Sequence, residues 1–163
     1  EGRASSYSLN LMGIYCGALG DLERELACYR ESAAADPSNE IPLFNSALAL
    51  RKLGRLEEAL ATIDKAIAIE RNGPCLALRG QILEALGRAP EAQDIWQDAY
   101  RTFNRPKGLD GWELHWFIRT ARSLGKDEEA QMAESLQAQR EIPSTPTVTG
   151  ERPALRTPAG ASR

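Results

Sequence analysis

The chain has 163 residues, of which 42% are apolar and 26% are charged, so it is long enough to bury the core of one globular domain. Its formal net charge of −3 gives no long-range attraction to nucleic acid, which disfavours the RNA-binding helical repeats that contact phosphate through basic surfaces. No apolar run approaches the length of a transmembrane helix, so we expect neither nucleic acid nor a membrane as a partner.

The N-terminal part of the chain is predicted to form two helices after a short polar start. Residues 1–6 are polar, and we expect them to fray. Helices are predicted for Tyr7–Leu19 and Asp21–Ala35, and Gly20 lies between them. Asp21 can cap the second helix, because its carboxylate can accept a hydrogen bond from a free backbone N–H.

The stretch from Glu40 to Asn72 is the clearest amphipathic pattern in the chain. Apolar residues recur at steps of three and four on each side of Gly54, which predicts one buried face on each of two helices. Gly54 stands where a helix ends, because glycine takes a positive φ without steric cost. The pattern therefore predicts a helical hairpin.

Two further hairpins are predicted after the first two. Their helices are Cys75–Leu86, Pro90–Tyr100, Trp112–Leu124 and Lys126–Arg140. Residues 102–111 form a longer link, which a surface loop tolerates at low entropic cost. Residues 141–163 are rich in Pro, Ser, Thr and Gly and contain no aromatic residue, so we expect a disordered C-terminal tail.

The hairpins repeat at a regular interval. Gly20, Gly54, Gly87 and Gly125 each follow a Leu, and they are 34, 33 and 38 residues apart. A helix-turn-helix unit with a period near 34 resembles the tetratricopeptide repeat family. The resemblance implies an all-α, right-handed α-solenoid of about four repeats over residues 7–140. The repeats would span residues 6–39, 40–72, 73–104 and 111–140.

The family's small and aromatic core positions are matched to different degrees in the four copies. Repeat three fits well, with Ala92 and Trp96 in its second helix, and we expect Trp96 to pack in the core. Repeat one departs from the pattern, because Glu25 stands where Ala is usual. In repeat four we expect Phe117 in the core and Trp112 toward the inner surface.

The sequence contains no catalytic constellation, so we expect a protein that is not an enzyme and needs no cofactor or metal. Cys16, Cys28 and Cys75 form no CxxC motif, and His115 has no partner at ligand spacing. Three thiols without a pairing pattern suggest a reducing compartment, and we expect a cytoplasmic protein.

In the family that the chain resembles, the first helices of successive repeats line a concave groove that binds peptides. The resemblance implies that this groove displays Tyr7, Asn10, Ile14, Phe44, Leu48, Arg51, Lys52, Trp112, His115, Arg119 and Arg122. The same register adds Gln81 and Glu84. The expected partner is a protein or peptide of mixed apolar and acidic character.

Two features of the sequence bear on the predicted peptide-binding groove. Cations in the last turn of a helix also favour the helix macrodipole without any ligand, which applies to Arg51, Lys52 and Arg122. The two-carboxylate clamp with which some members of the family hold chaperone tails is absent. Asn45 matches one clamp position, whereas Asn10, Ile14, Pro74 and Leu78 stand where Lys, Asn, Lys and Arg are expected.

Two other functions remain open at this point. The chain begins at Glu1 without a Met, so it could be a regulatory or assembly segment of a larger enzyme whose catalytic domain precedes it. It could also self-associate through its convex face or its ends; its oligomeric state does not follow from the sequence.

Overall fold

The computed structural model describes residues 5–103 and 108–140, and within these ranges the chain forms eight α-helices and no strand. The predicted tail and the first four residues of the predicted frayed start lie outside the described residues. The helices are α1 (Ser6–Ala18), α2 (Leu22–Ala35), α3 (Glu40–Lys52), α4 (Leu56–Ile69), α5 (Gly73–Ala85), α6 (Ala89–Thr102), α7 (Gly111–Ser123) and α8 (Asp127–Arg140).

Consecutive helices pair into four hairpins, which we call repeats one to four. Each second helix also contacts the first helix of the next repeat, so the hairpins stack in chain order. At the four hinges Gly20, Gly54, Gly87 and Gly125 take φ values of 80°, 74°, 74° and 69°. Only glycine takes such angles readily, and the α-solenoid of hairpins predicted from the sequence is confirmed.

Polar side chains fix where several helices begin. Asp21 and Asn39 accept hydrogen bonds from backbone N–H groups in the first turns of α2 and α3, and Asn72 does so for α5. Asp110 and Glu113 form a reciprocal capping box at the start of α7. These contacts satisfy N–H groups that have no partner inside the helix.

The core of a repeat forms where a large side chain on the second helix packs over a small residue on the first. Trp96 of α6 is 1% exposed, and a Cβ added at Gly80 of α5 would lie 2.8 Å from its ring. Tyr29 of α2 packs over Gly13 of α1 in the same way, at 2.4 Å. The predicted core position of Trp96 is confirmed.

Repeat one contains a buried charge at its helix crossing. Glu25 of α2 is fully buried, and a Cβ added at Gly17 of α1 would lie 2.8 Å from its carboxylate carbon. The Lys52 ammonium of α3 donates to Glu25 Oε1 at 3.0 Å. Glu25 therefore fits in place of the usual Ala, because Gly17 leaves space for its carboxylate and Lys52 supplies the counter-charge.

Repeat four closes the stack with a bulky first helix and a sparse second helix. Phe117 of α7 is 2% exposed and contacts Phe103 edge to face, which confirms its predicted core position. The second helix α8 buries only Ala130 and Ala133, while Leu136 is partly buried. A helix with one thin apolar face and a polar outer face suits the end of a stack.

Candidate binding groove

The middle of the predicted groove is filled by aromatic rings. Phe44 of α3 contacts Trp112 and Trp116 of α7, each edge to face, with ring centroids 5.4 Å apart. Phe44 is 1% exposed and Leu48 is 3% exposed. The burial of Phe44 and Leu48 is a correction to the expected groove surface: the rings of α7 cover Phe44, and Leu48 belongs to the same apolar core.

The N-terminal end of the predicted groove is divided between surface and core. Tyr7 is 47% exposed, whereas Asn10 is 2% exposed and accepts a hydrogen bond from Asn45 Nδ2 at 3.0 Å. Ile14 packs against the apolar core. Asn10 is thus a second correction: it is held by the Asn45 amide inside the fold, and it borders only a small pocket of about 140 Å³.

The C-terminal half of the predicted groove opens into a cleft of about 500 Å³ between α5, α7 and α8. Three of the predicted residues, His115, Arg119 and Arg122, line this cleft together. The other lining residues are Gln81, Glu84, Ile118, Ser123, Glu134 and Gln137. Sequence reasoning missed Glu134 and Gln137 because they belong to a second helix, which faces the next repeat everywhere except at the end of a stack.

The four predicted groove cations fall into two classes. Lys52 pairs with the buried Glu25, and Arg122 pairs with Glu134 across the mouth of the repeat-four hairpin. Among the described residues, neither Arg51 nor Arg119 has a carboxylate within ion-pair distance. The Nε atom of Arg51 is buried without a hydrogen-bond partner.

Arg119 lines the cleft, and Arg51 of α3, which does not line it, lies close enough to Arg119 for the two charges to repel. Burial and the charge of Arg119 lower the pKa of Arg51. Burial and the same arginine also lower the pKa of His115, so its imidazole resists a further positive charge. Burial is the larger cause of both pKa shifts, and an added anion would offset the smaller part that comes from the charge of Arg119.

The described residues give no sign of metal chemistry in this region. They contain no cluster of three or more His, Cys, Asp or Glu side chains arranged to hold a metal ion. None of the described helices combines the length and the apolar character needed to cross a membrane. In this region one aromatic ring, that of Trp112, is partly exposed, and the guanidiniums of Arg51 and Arg119 have no carboxylate within ion-pair distance among the described residues.

The sequence matches known families over its central repeats. The tetratricopeptide repeat model matches residues 42–72, and a second model with the same description matches residues 73–98. An uncharacterized protein of Methanocaldococcus jannaschii is 37% identical over 60 residues, which is 37% of this chain and 70% of that protein.

Solved structures of tetratricopeptide repeat domains share the fold. The first such domain of RPAP3 (Spaghetti), bound to the HSP90 peptide SRMEEVD, superposes with a TM-score of 0.63 and 20% identity, covering 78% of this chain and 94% of that one. The second domain of human RPAP3, in complex with the HSP70 peptide SGPTIEEVD, gives 0.59 and 22%, covering 76% and 98%. The Sgt2 domain from Aspergillus fumigatus gives 0.61 and 16%, covering 89% and 91%.

Proposed function

The chain belongs to the tetratricopeptide repeat family, and from this we propose that it is a non-catalytic module that binds an acidic segment of a partner protein in the cleft between α5, α7 and α8. The observation that carries the proposal is Arg119, which lines the cleft and is repelled by Arg51 of α3, while neither arginine has a carboxylate within ion-pair distance among the described residues. A half-buried arginine that is repelled by its neighbour costs free energy, and a bound carboxylate would recover it.

The chemistry of the cleft favours a segment of mixed character. Ile118 lines the cleft and offers apolar contact, as does the partly exposed Trp112 on the same helix, and Arg119 offers two parallel N–H donors that match a carboxylate. The peptides bound by the two RPAP3 domains carry consecutive glutamates, which supports an acidic ligand for this fold. Of the five positions that would form the two-carboxylate clamp, only Asn45 matches in this chain, so the proposed acid-binding position is a different one.

The binding test uses acidic heptapeptides and their neutral analogues. An array of peptides containing Glu, Asp and large apolar residues identifies a tight binder, whose affinity is then measured by fluorescence anisotropy. We expect Arg119→Glu to lower the affinity for that peptide by at least about tenfold, because one charge-assisted hydrogen bond contributes roughly 1.5–3 kcal/mol. The matched control is Arg24→Glu, an exposed arginine on the outer helix α2, which should change affinity less than about twofold.

The pH dependence of peptide binding is a second test of the same site. Burial lowers the pKa of His115 in the free protein. Its imidazole is therefore neutral at pH 7 and takes up a proton only at a pH below the range in which histidine ordinarily titrates. A bound carboxylate raises that pKa, so binding takes up a proton and the peptide should bind more tightly as the pH falls from about 7.5 to about 5.5. His115→Gln should remove this dependence.

The proposal has clear contradicting outcomes. If Arg119→Glu and Arg24→Glu lower the affinity for the peptide equally, only the long-range charge of the protein affects binding, and the cleft is not the binding site. If the Gln and Asn analogue binds as tightly as the acidic peptide, the partner is not recognised through its carboxylates. Circular dichroism at 222 nm must show unchanged helicity in both variants for either result to count.

A further inference from the structure

The first helix of the stack exposes an apolar face at the opposite end from the cleft. Leu11, Met12, Tyr15 and Leu19 are 42%, 54%, 65% and 68% exposed, and we call them the α1 face. They recur at helical spacing and share one side of α1. Scattered exposed apolar residues are ordinary, but a contiguous set of four on one helix marks an interaction surface.

The other repeats show what kind of surface this is. Counted back from the hinge glycine, Tyr15 and Leu11 occupy the fifth and ninth positions before Gly20. The equivalent residues in repeats two to four are at most 1% exposed: Ala49 and Asn45, Ile82 and Leu78, and Thr120 and Trp116. In those repeats the preceding hairpins pack on the first helix: α2 lies on α3, α4 on α5 and α6 on α7, while Asn45 bonds Asn10 of α1 and Trp116 contacts Phe44 of α3. Leu11 and Tyr15 of the α1 face therefore stand at positions that are repeat–repeat contacts elsewhere in the stack, and nothing among the described residues covers them.

The other end of the stack has a different surface. The outward side of α8 carries exposed Gln131, Ser135 and Gln139, with Met132 as an isolated apolar residue at 59% exposure. A polar helix gains little by covering the α1 face, so head-to-tail stacking of copies into a filament is disfavoured. An interaction through α1 should then close after two molecules.

From these observations we propose that the α1 face is a self-association surface, on which the α1 helix of a second copy of this chain packs about a two-fold axis. The helix contains no acidic or basic residue along its whole length, so two copies approach without like-charge repulsion. Two such faces bury on the order of 1,000 Å² in total, which is the lower end for a specific interface and corresponds to a weak dimer. This surface is separate from the cleft and does not depend on the function proposed above.

The test measures the mass of the full chain in solution. Sedimentation equilibrium over about 1 to 200 µM brackets a micromolar Kd. The mass should rise from 17.9 kDa at the lowest concentration toward twice that value at the highest. The double variant Tyr15→Lys/Leu19→Lys should remain at 17.9 kDa throughout, because two lysines on each copy meet across the axis.

Matched variants make the result specific to this face. Met132→Lys changes an equally exposed apolar residue at the other end of the stack and should associate as the unchanged chain does. Tyr15→Lys alone, which alters a 65% exposed side chain, serves where the double variant loses helicity. An unchanged chain that stays at 17.9 kDa at the highest concentration overturns the proposal and leaves the face to a helix of another protein. Association that persists in the lysine variants also overturns it, because the contact then lies elsewhere.

Discussion

Repeat one and repeat three form the same kind of hairpin, but the contact between their helices differs in chemistry. In both, a glycine on the first helix admits an aromatic ring from the second, with Gly13 under Tyr29 and Gly80 under Trp96. Five residues after the hinge, repeat three buries Ala92, whereas repeat one buries the carboxylate of Glu25.

The difference shows that the space at the crossing is the fixed requirement and that its polarity can vary. Repeat one makes room for a larger side chain with Gly17 and supplies a counter-charge from the next repeat with Lys52. A buried carboxylate costs several kcal/mol unless it is paired and hydrogen-bonded, so repeat one depends on repeat two for its charge balance. Repeat three has no such dependence at Ala92.

The largest effect is expected from removing the aromatic core of repeat three. Trp96→Ala should lower the free energy of unfolding by about 3–5 kcal/mol, because it opens a cavity at a 1% exposed site. It also removes the indole N–H that donates to Glu84 Oε1 at 2.8 Å. Urea denaturation followed by circular dichroism measures the loss. Met132→Ala at an exposed site is the control and should stay within about 0.5 kcal/mol; an equally small effect of Trp96→Ala would contradict the described packing.

A smaller but more specific effect is expected in repeat one. Lys52→Met should cost about 2–3 kcal/mol, because it removes the ammonium in contact with a fully buried carboxylate while keeping most of the side-chain volume. Adding Glu25→Gln to this variant removes the charge as well and should recover part of the loss. Lys65→Met, at an exposed lysine of α4, is the matched control. Equal midpoints in urea for the two Lys→Met variants would show that the pair contributes nothing.

The smallest of the three effects tests the space under Tyr29. A Cβ at Gly13 would lie 2.4 Å from the tyrosine ring, so Gly13→Ala should destabilise the chain by about 1–3 kcal/mol. At Gly111 of α7 a Cβ would meet no atom within 4 Å, so Gly111→Ala should be neutral or stabilise by up to about 1 kcal/mol. Thermal unfolding of the two variants side by side measures the difference. A gain in stability for Gly13→Ala would mean that Tyr29 shifts without cost.

Much of the fold could be predicted because it depends on features that lie close together in the chain. The interval between Gly20, Gly54, Gly87 and Gly125 determines the hairpins, and the apolar period determines which faces are buried. Trp96 and Phe117 were placed in the core from the resemblance, because they stand at core positions of the family pattern. Pairing of Glu25 with Lys52 was not predicted, because the first was seen only as a departure from the repeat pattern and the second only as a groove cation.

The groove was predicted less well, because its depth depends on contacts between repeats that are not neighbours. Phe44 and Leu48 do stand at inward-facing positions of α3, but register alone does not say what reaches them. Ala77 occupies the position in α5 that corresponds to Phe44, and its small size leaves room for the tryptophans of α7 to contact Phe44. Such a contact is visible only in three dimensions.

The contacts of Phe44 with Trp112 and Trp116 also change how the array should respond to force. An array in which each hairpin meets only its neighbours extends like a spring when its ends are pulled apart. Here the contacts among these three rings connect the second hairpin directly to the fourth on the inner side of the stack. When the two ends of the array are pulled apart, these ring contacts must break before the hairpins can separate. We therefore expect the array to keep its curvature up to a threshold force and then to extend in a single step.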